Sequence, residues 1–421
     1  MTPDTAEKPR IPRPVWFLGW TSLFTDAANE AIYPLLPVYL SRVLGATAVS
    51  LGIIEGVAEA VNSLLKVLSG YLSDRRSRRR PIVIFGYALS SFSRPLIALT
   101  TSWPQVLLIR ALDRTGKGIR GAPRDALLAR FATPRTRGRI FGFHEAMDDA
   151  GAIVGPLAAT LFLLFAPERY RLLFALTIIP GVIAVAMLFF VDEDARAGEA
   201  ANRGAHEPAN LRTAEPANPR ISEPSNLPPL PGRLKALMVV LLVFSLGNSA
   251  DAFLLLRLSD VFGGAKYVPL MWAAIHVVKA SLSTWGGALS DRFGRKQLIV
   301  AGWIVYALVY LGFAWSTSGI AFIAWFLFYG VYFAFADGPA KALVTDLTPE
   351  GRRGAAFGMY NGTIGAGALV ASILFGYLYE HFGSSTAFTA GAALAGVAAV
   401  LLLFIPTDTI KDSHARDSGH Q

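Results

Sequence analysis

The chain has 421 residues, 53% of them hydrophobic and 16% charged, with a mean hydropathy of +0.44 and a net charge of +9. It is too apolar for a soluble domain, and a bilayer is its natural solvent. It contains no cysteine, which excludes disulfides, thiolate metal sites and iron–sulfur clusters.

In chain order, a basic start (Lys8, Arg10, Arg13) precedes an apolar stretch over 15–44. That stretch is longer than a signal-peptide core and lacks a small-residue cleavage site, so it reads as a first membrane span. With about 20 residues per crossing, the hydropathy pattern predicts twelve helices. The first six cover 15–42, 48–72, 81–101, 104–129, 138–166 and 170–191, and the second six cover 233–262, 266–290, 296–316, 319–346, 351–381 and 384–406. The implied organisation is a tail over 1–14, a bundle over 15–191, a linker over 192–232, a second bundle over 233–406 and a tail over 407–421. The linker turns to Pro, Glu, Asn and Arg and repeats Glu-Pro-x-Asn from Glu207, Glu215 and Glu223. It buries too little apolar surface to fold and is expected to be a disordered cytoplasmic tether. His414 and His420 in the polar tail are read as inert.

The charges are distributed unevenly. Arg75, Arg76, Arg78, Arg79 and Arg80 follow the second span, Arg130, Arg135, Arg137 and Arg139 the fourth, and Arg292, Arg295 and Lys296 the eighth. The loops at 100–105 and 316–320 on the other side carry no Lys or Arg. The positive-inside rule therefore predicts both termini in the cytoplasm, as for a multi-pass protein of a cell inner membrane.

The stretch Gly70, Leu72, Ser73, Asp74, Arg75 and Arg78 recurs 217 positions later as Gly287, Leu289, Ser290, Asp291, Arg292 and Arg295, again between apolar segments. Gly138, Phe141 and Gly142 match Gly354, Phe357 and Gly358, and Pro123 matches Pro339. The chain thus reads as two homologous halves. The repeated stretch resembles the signature loop between the second and third helices, and between the eighth and ninth, of the major facilitator superfamily. The resemblance covers nearly the whole chain. It implies an all-α integral membrane fold of two six-helix bundles, with a substrate site between them near the bilayer midplane. It also implies a conformational latch on the cytoplasmic side of the outward-facing state: Asp74 with Arg75 would approach Arg353, and Asp291 with Arg292 would approach Arg139. Gly70 and Gly287 would allow close helix approach there.

In the fifth span Gly142, Gly151, Gly155 and Pro156 resemble the antiporter motif of facilitator exporters, Gly-x8-Gly-x3-Gly-Pro-x2-Gly-Gly, except that Ala159 and Thr160 replace the final pair. The resemblance implies export. The matching helix in the second half keeps Gly358 and Gly367 but has Ala371 and no proline after it.

A charge at the centre of a span costs roughly 2.5 to 3.5 kcal/mol on insertion scales, so each one is a functional candidate. Asp26 and Glu30 lie one turn apart on the first helix, near Tyr33. Glu55 and Glu59 share a face of the second helix with Asn62 and Lys66. Asp113, Lys117, Arg120 and Arg124 form a stripe on the fourth helix with Arg110 and Arg114 beside it, and His144, Glu145, Asp148 and Asp149 crowd the fifth. Nine acids face seven bases in this half, so most pair and two carboxylates remain over. An unpaired carboxylate facing a cavity takes up and releases protons during transport. Asp26, Glu30 and Asp148 are assigned that role, because the first and fifth helices line the cavity in the resembled fold. In the second half Asn248, Asp251, Arg257, His276, Lys279, Tyr329, Tyr332, Asp337, Lys341 and Asn361 are the polar candidates, with Tyr267, Trp272 and Phe335 around them.

The resulting expectation is a proton-driven exporter working by alternating access, with no cofactor beyond the proton gradient and acting as a monomer. Its substrate would be a drug-like cation, a siderophore-type chelator or a metal complex. The alternative is a proton symporter importing a nutrient or carboxylated solute past the basic fourth helix. No H-E-x-x-H, no Gly-x-Ser-x-Gly and no cysteine nucleophile points to an enzyme. The basic residues flank spans without interleaved aromatics, which argues against nucleic-acid binding.

Overall fold

The computed structural model describes residues 11–74, 79–132, 136–192, 230–349 and 352–406, with side chains at 71–74, 137, 283–288 and 291 left aside. The predicted tether and the C-terminal tail lie outside the described residues, as do Arg75 and the side-chain positions of Asp74, Gly287 and Asp291. Arg292 is exposed, with its guanidinium 5.5 Å from the neighbouring Phe293 ring.

Helices fill nearly all of the described chain. The first half comprises α1 (Arg13–Ile32, prolonged by short helical turns Tyr33–Leu35, Leu36–Val38 and Tyr39–Val43), α2 (Ala48–Asp74), α3 (Arg80–Leu99), α4 (Trp103–Arg130), α5 (Arg137–Phe165) and α6 (Tyr170–Leu188). The second comprises α7 (Gly232–Val261), α8 (Val268–Phe293), α9 (Arg295–Trp315), α10 (Gly319–Asp346), α11 (Arg353–Phe382) and α12 (Ser384–Leu403). Among the described residues nine of these are long and apolar enough to cross a membrane by length and composition. Of the other three, α1 and α4 carry polar and charged side chains of the candidate site, and the described part of α8 is apolar over Val268–Leu282.

Four expected continuous helices are interrupted, α6 only by the single turn residue Thr177 ahead of Pro180. In α1, Pro34 and Pro37 remove backbone donors; the helix tightens to a 3₁₀ turn at Tyr33–Leu35 and widens to a π turn at Tyr39–Val43. In α3, Pro95 has the same effect, and the last turn, Arg94–Leu99, is a 3₁₀ helix. The fourth break has no proline. α7 stops at Gly247 and restarts at Ala252, so that Asn248, Ser249, Ala250 and Asp251 leave helical geometry. The freed carbonyl of Gly247 accepts a hydrogen bond from Tyr306 Oη at 3.1 Å, which satisfies a backbone group that lipid would not.

Within each half a basic side chain at the end of the repeated motif staples the bundle. Arg80 Nε and Nη2 donate to the carbonyls of Leu188 and Phe189 at 3.2 and 2.6 Å, closing the C-terminus of α6. Lys296 Nζ donates to Leu403 and Ile405 at 2.7 and 2.8 Å, closing α12. Cations on the last carbonyls of a helix complement its dipole. Lys296→Gln is therefore expected to lower stability by about 1 kcal/mol, read as a lower unfolding midpoint in detergent with transport direction unchanged. An unaltered midpoint would show the contact to be incidental.

The halves meet along α2 with α11 and along α5 with α8. At the end opposite the arginine-rich loops they are sealed. Arg42 donates to the carbonyls of Ser259 and Gly263, both at 3.2 Å, and Glu380 accepts from Val49 N–H at 3.0 Å. A Cβ on Gly52 would collide with the Ser372 carbonyl, and one on Gly376 would stand 2.5 Å from the Ala48 carbonyl, so here the backbones themselves touch. Toward the arginine-rich end a Cβ on Gly358 would find Val67 no closer than 3.6 Å, while Glu145, Asp337 and Lys341 are exposed. The structure is closed at the far end and opens toward the arginine-rich end.

In this arrangement, open at the arginine-rich end, a Cβ on Gly70 would meet only Ala122, at 3.8 Å, and one on Gly142 would meet nothing within 4 Å. Gly151 and Gly155 are required, because a Cβ on them would run into the Leu23 and Ala27 carbonyls of α1. α5 continues through Pro156 without interruption.

Candidate functional site

The first-half charges divide into a locked set and an open set. Arg110 clamps Glu55 with three hydrogen bonds of 2.9 to 3.2 Å, and both side chains are nearly inaccessible. Asp113 receives Arg94 Nε at 2.7 Å and lies 3.6 Å from Arg110. Arg94 also donates to the Thr25 carbonyl at 2.8 Å, tying α3 and α4 to α1. Arg120 bonds Ser90 at 3.0 Å and lies 4.1 Å from the Tyr87 ring centroid. Buried charges this well paired serve as framework. Arg94, which the sequence does not single out, is the partner that neutralises Asp113.

The open set is less tightly paired, and of it Glu59 lines the cavity between the halves. Asp26 is half-buried and, among the described residues, has no direct ion-pair partner; it interacts through space with Asp148, Lys117, Arg120 and Glu30. Asp148 sits 3.8 Å from Arg124 and 3.6 Å from His144, and Arg124 also holds Asp125 at 3.0 Å. Asp149 and Lys279 approach across the α5–α8 interface. Glu59 accepts from Asn62 and Ser63 at 3.2 to 3.4 Å, and Glu145 is exposed. Glu30 accepts one bond from Asn29 and one from Trp272, both 2.7 Å.

Between the halves lies a cavity of about 270 Å³. Tyr33, Glu55, Glu59 and Arg114 line it from the first half. The unwound Asn248–Asp251 stretch and Tyr329, Tyr332, Phe333 and Asp337 line it from the second, with α11 contributing Ile364, Ala368 and Ser372. Tyr329 Oη donates to Asp251 at 2.8 Å, and Asn248 Nδ2 reaches Tyr332 Oη at 3.5 Å. Behind them Tyr306, Tyr310, Tyr329 and Tyr332 pack ring on ring, with Tyr306 and Tyr310 stacked at 4.1 Å. Lys279 lies 4.8 Å from the Phe333 ring. Positions 216 apart show the division of labour: Arg94, Asp113 and Lys117 are replaced by Tyr310, Tyr329 and Phe333. One half carries the charge network and the other an aromatic wall.

Asn361 does not face this site, since its Nδ2 turns back to the Phe357 carbonyl at 2.9 Å. Among the described residues no group of three or more His, Asp or Glu side chains is placed to hold a metal ion. The sequence expectation joins α2 to α11 only at Asp74 and Arg353; the contact around Gly52 and Gly56 lies outside it, although its signal is present as Gly52-Ile53-Ile54-Glu55-Gly56, a small-xxx-small spacing.

Comparison with known proteins agrees with this architecture. The family profile described as Major Facilitator Superfamily matches residues 18–285 and 270–420. An uncharacterized MFS-type transporter of Methanocaldococcus jannaschii is 33% identical over 397 residues, covering 93% of this chain and 94% of that protein. Multidrug resistance protein MdtH of Aeromonas hydrophila is 29% identical over 158 residues, 38% of this chain and 40% of its own length. A D-xylose–proton symporter aligns with TM-score 0.70 at 17% identity over 94% of this chain and 99% of its own. A POT family transporter in complex with a thioalcohol-conjugated peptide aligns with 0.73 at 12% identity, over 93% and 96%. The chain is a multi-pass membrane transporter and belongs to the Major Facilitator Superfamily.

Proposed function

We propose that this transporter exports a small organic cation in exchange for protons, with Asp26 and Glu30 of α1 carrying the coupling charge. The observation that carries this reading is the seat of Gly151 and Gly155 on α1. A Cβ on Gly151 would stand 3.1 Å from Asp26 Cβ, so the antiporter-like glycines pack directly around a carboxylate that lacks an ion-pair partner. A charge held at that junction changes the fit of α1 on α5 when it is neutralised. The cavity wall offers Glu59, Asp251 and Asp337 against Arg114, beside Tyr33, Tyr329, Tyr332 and Phe333. Acidic groups among aromatic faces suit a cation with an apolar body. Partial similarity to a protein named for multidrug resistance is consistent with such a substrate. The arginine-rich end is taken as cytoplasmic, so the cavity opens inward. Arg114 in the wall favours the alternative, uptake of a carboxylated solute with protons.

The test is substrate-driven proton flux in oriented proteoliposomes screened with organic cations, carboxylates and chelators. Export by antiport moves protons opposite to the cation, and Asp26→Asn is expected to reduce that flux by roughly tenfold or more. Protons moving with a carboxylate would establish the symporter instead.

A further inference from the structure

Glu30 belongs to the first half, and its nearest donor belongs to the second. Trp272 of α8 is 6% exposed, and its Nε1–H points at Glu30 Oε2. The Tyr33 ring packs on the indole at 5.3 Å, and His276 meets it edge-on at 5.0 Å. The bond therefore crosses the interface beside the cavity, on the side the seal keeps closed. Aromatic packing alone does not require an N–H at this place, since a phenyl ring would fill the same contact.

We propose that Trp272 is the positioning residue that ties the charge on Glu30 to closure of the far end. A hydrogen bond to an ionised carboxylate is roughly twice as strong as one to a neutral group. Parting α1 from α8 strips ionised Glu30 of its indole donor, whereas a protonated Glu30 loses less. A proton on Glu30 thus favours the parted, far-end-open arrangement, by the rule that a ligand shifts an equilibrium by its differential affinity for the two states. In the closed arrangement the indole favours the charged form and with it proton release toward the open side. Trp272 does not titrate, so the switch lies in Glu30. The charged groups around it are Lys117 from α4, His276 from α8, Asp251 from α7 and Asp26 one turn earlier. Asp148 and Asp149 of α5 surround Asp26, and Arg94 of α3 is turned to Asp113.

This inference rests on the proton-coupled reading above and is tested apart from it. The chain has no cysteine, so Ser259→Cys, at a buried site under the Arg42 seal, gives a single reporter for maleimide labelling of purified protein. Labelling, divided at each pH by the rate of the same cysteine in denatured protein because maleimide reacts with the thiolate, is expected to accelerate as pH falls. Trp272→Phe is expected to raise labelling at high pH by roughly tenfold and to flatten its pH profile. Glu30→Gln, the neutral mimic, should give the same flat profile, and the double variant should add nothing. Two variants acting from opposite sides of one bond keep the test open if either misfolds. A pH profile that survives Trp272→Phe overturns the proposal, as does one abolished by His276→Gln but not by Glu30→Gln. Loss of proton flux in the parent with labelling still pH-dependent would sink the exporter reading and leave the tether standing.

Discussion

Asp113→Ala is expected to cost about 3 to 5 kcal/mol, the penalty for removing one partner of a buried ion pair. Asp113 is 1% exposed and neutralises Arg94 while standing 3.6 Å from Arg110. Without it, Arg94 keeps only the Thr25 carbonyl, and two guanidiniums face each other in a volume closed to water. Arg110 keeps Glu55, so the damage centres on the junction of α1, α3 and α4. The measurement is the unfolding midpoint and the symmetric peak on size exclusion in detergent, with Glu145→Ala as an exposed-carboxylate control expected to stay within about 0.5 kcal/mol. Asp113→Asn, which keeps the volume and one acceptor, should fall between. Equal behaviour of Asp113→Ala and Glu145→Ala would mean that the network is not structural.

Gly52→Leu is expected to abolish transport while leaving the protein folded. The site faces the Ser372 carbonyl of the other half, a backbone atom that has no rotamer to yield. Overpacking of this kind costs about 1 to 3 kcal/mol. Here that cost falls on the closed arrangement and not on folding, because the clash disappears once α2 and α11 part. The far end should then stay open, and the Ser259→Cys reporter should label fast at every pH. Gly396→Leu on α12, where a side chain meets nothing within 4 Å, is the control that should transport normally. Normal transport by Gly52→Leu would show that the α2–α11 closure is not part of the cycle.

The helices were legible because apolar length is a local property, and the two halves because a dense motif recurs between them. The fifth-helix glycines were legible in the same way, although Gly142 shared their spacing without sharing their contacts. The break in α7 was not. Asn248 and Asp251 stood out as polar, but with no proline between Gly247 and Ala252 only the packing of Tyr306 onto the Gly247 carbonyl makes an unwound turn tolerable.

The sequence by itself determined that this chain crosses a membrane many times, that it is a duplicated bundle, and that its first half carries more ionisable groups than lipid permits. Only the tertiary structure decided which of them are framework and which are free. In sequence Asp113 and Asp26 are each an acid within a predicted span. One is neutralised by Arg94 from α3, and the other lies beside Gly151 without an ion-pair partner. The physical reason is that helical periodicity fixes the direction of a side chain relative to its own axis, while its partner is fixed by where two axes cross, and no single segment encodes that.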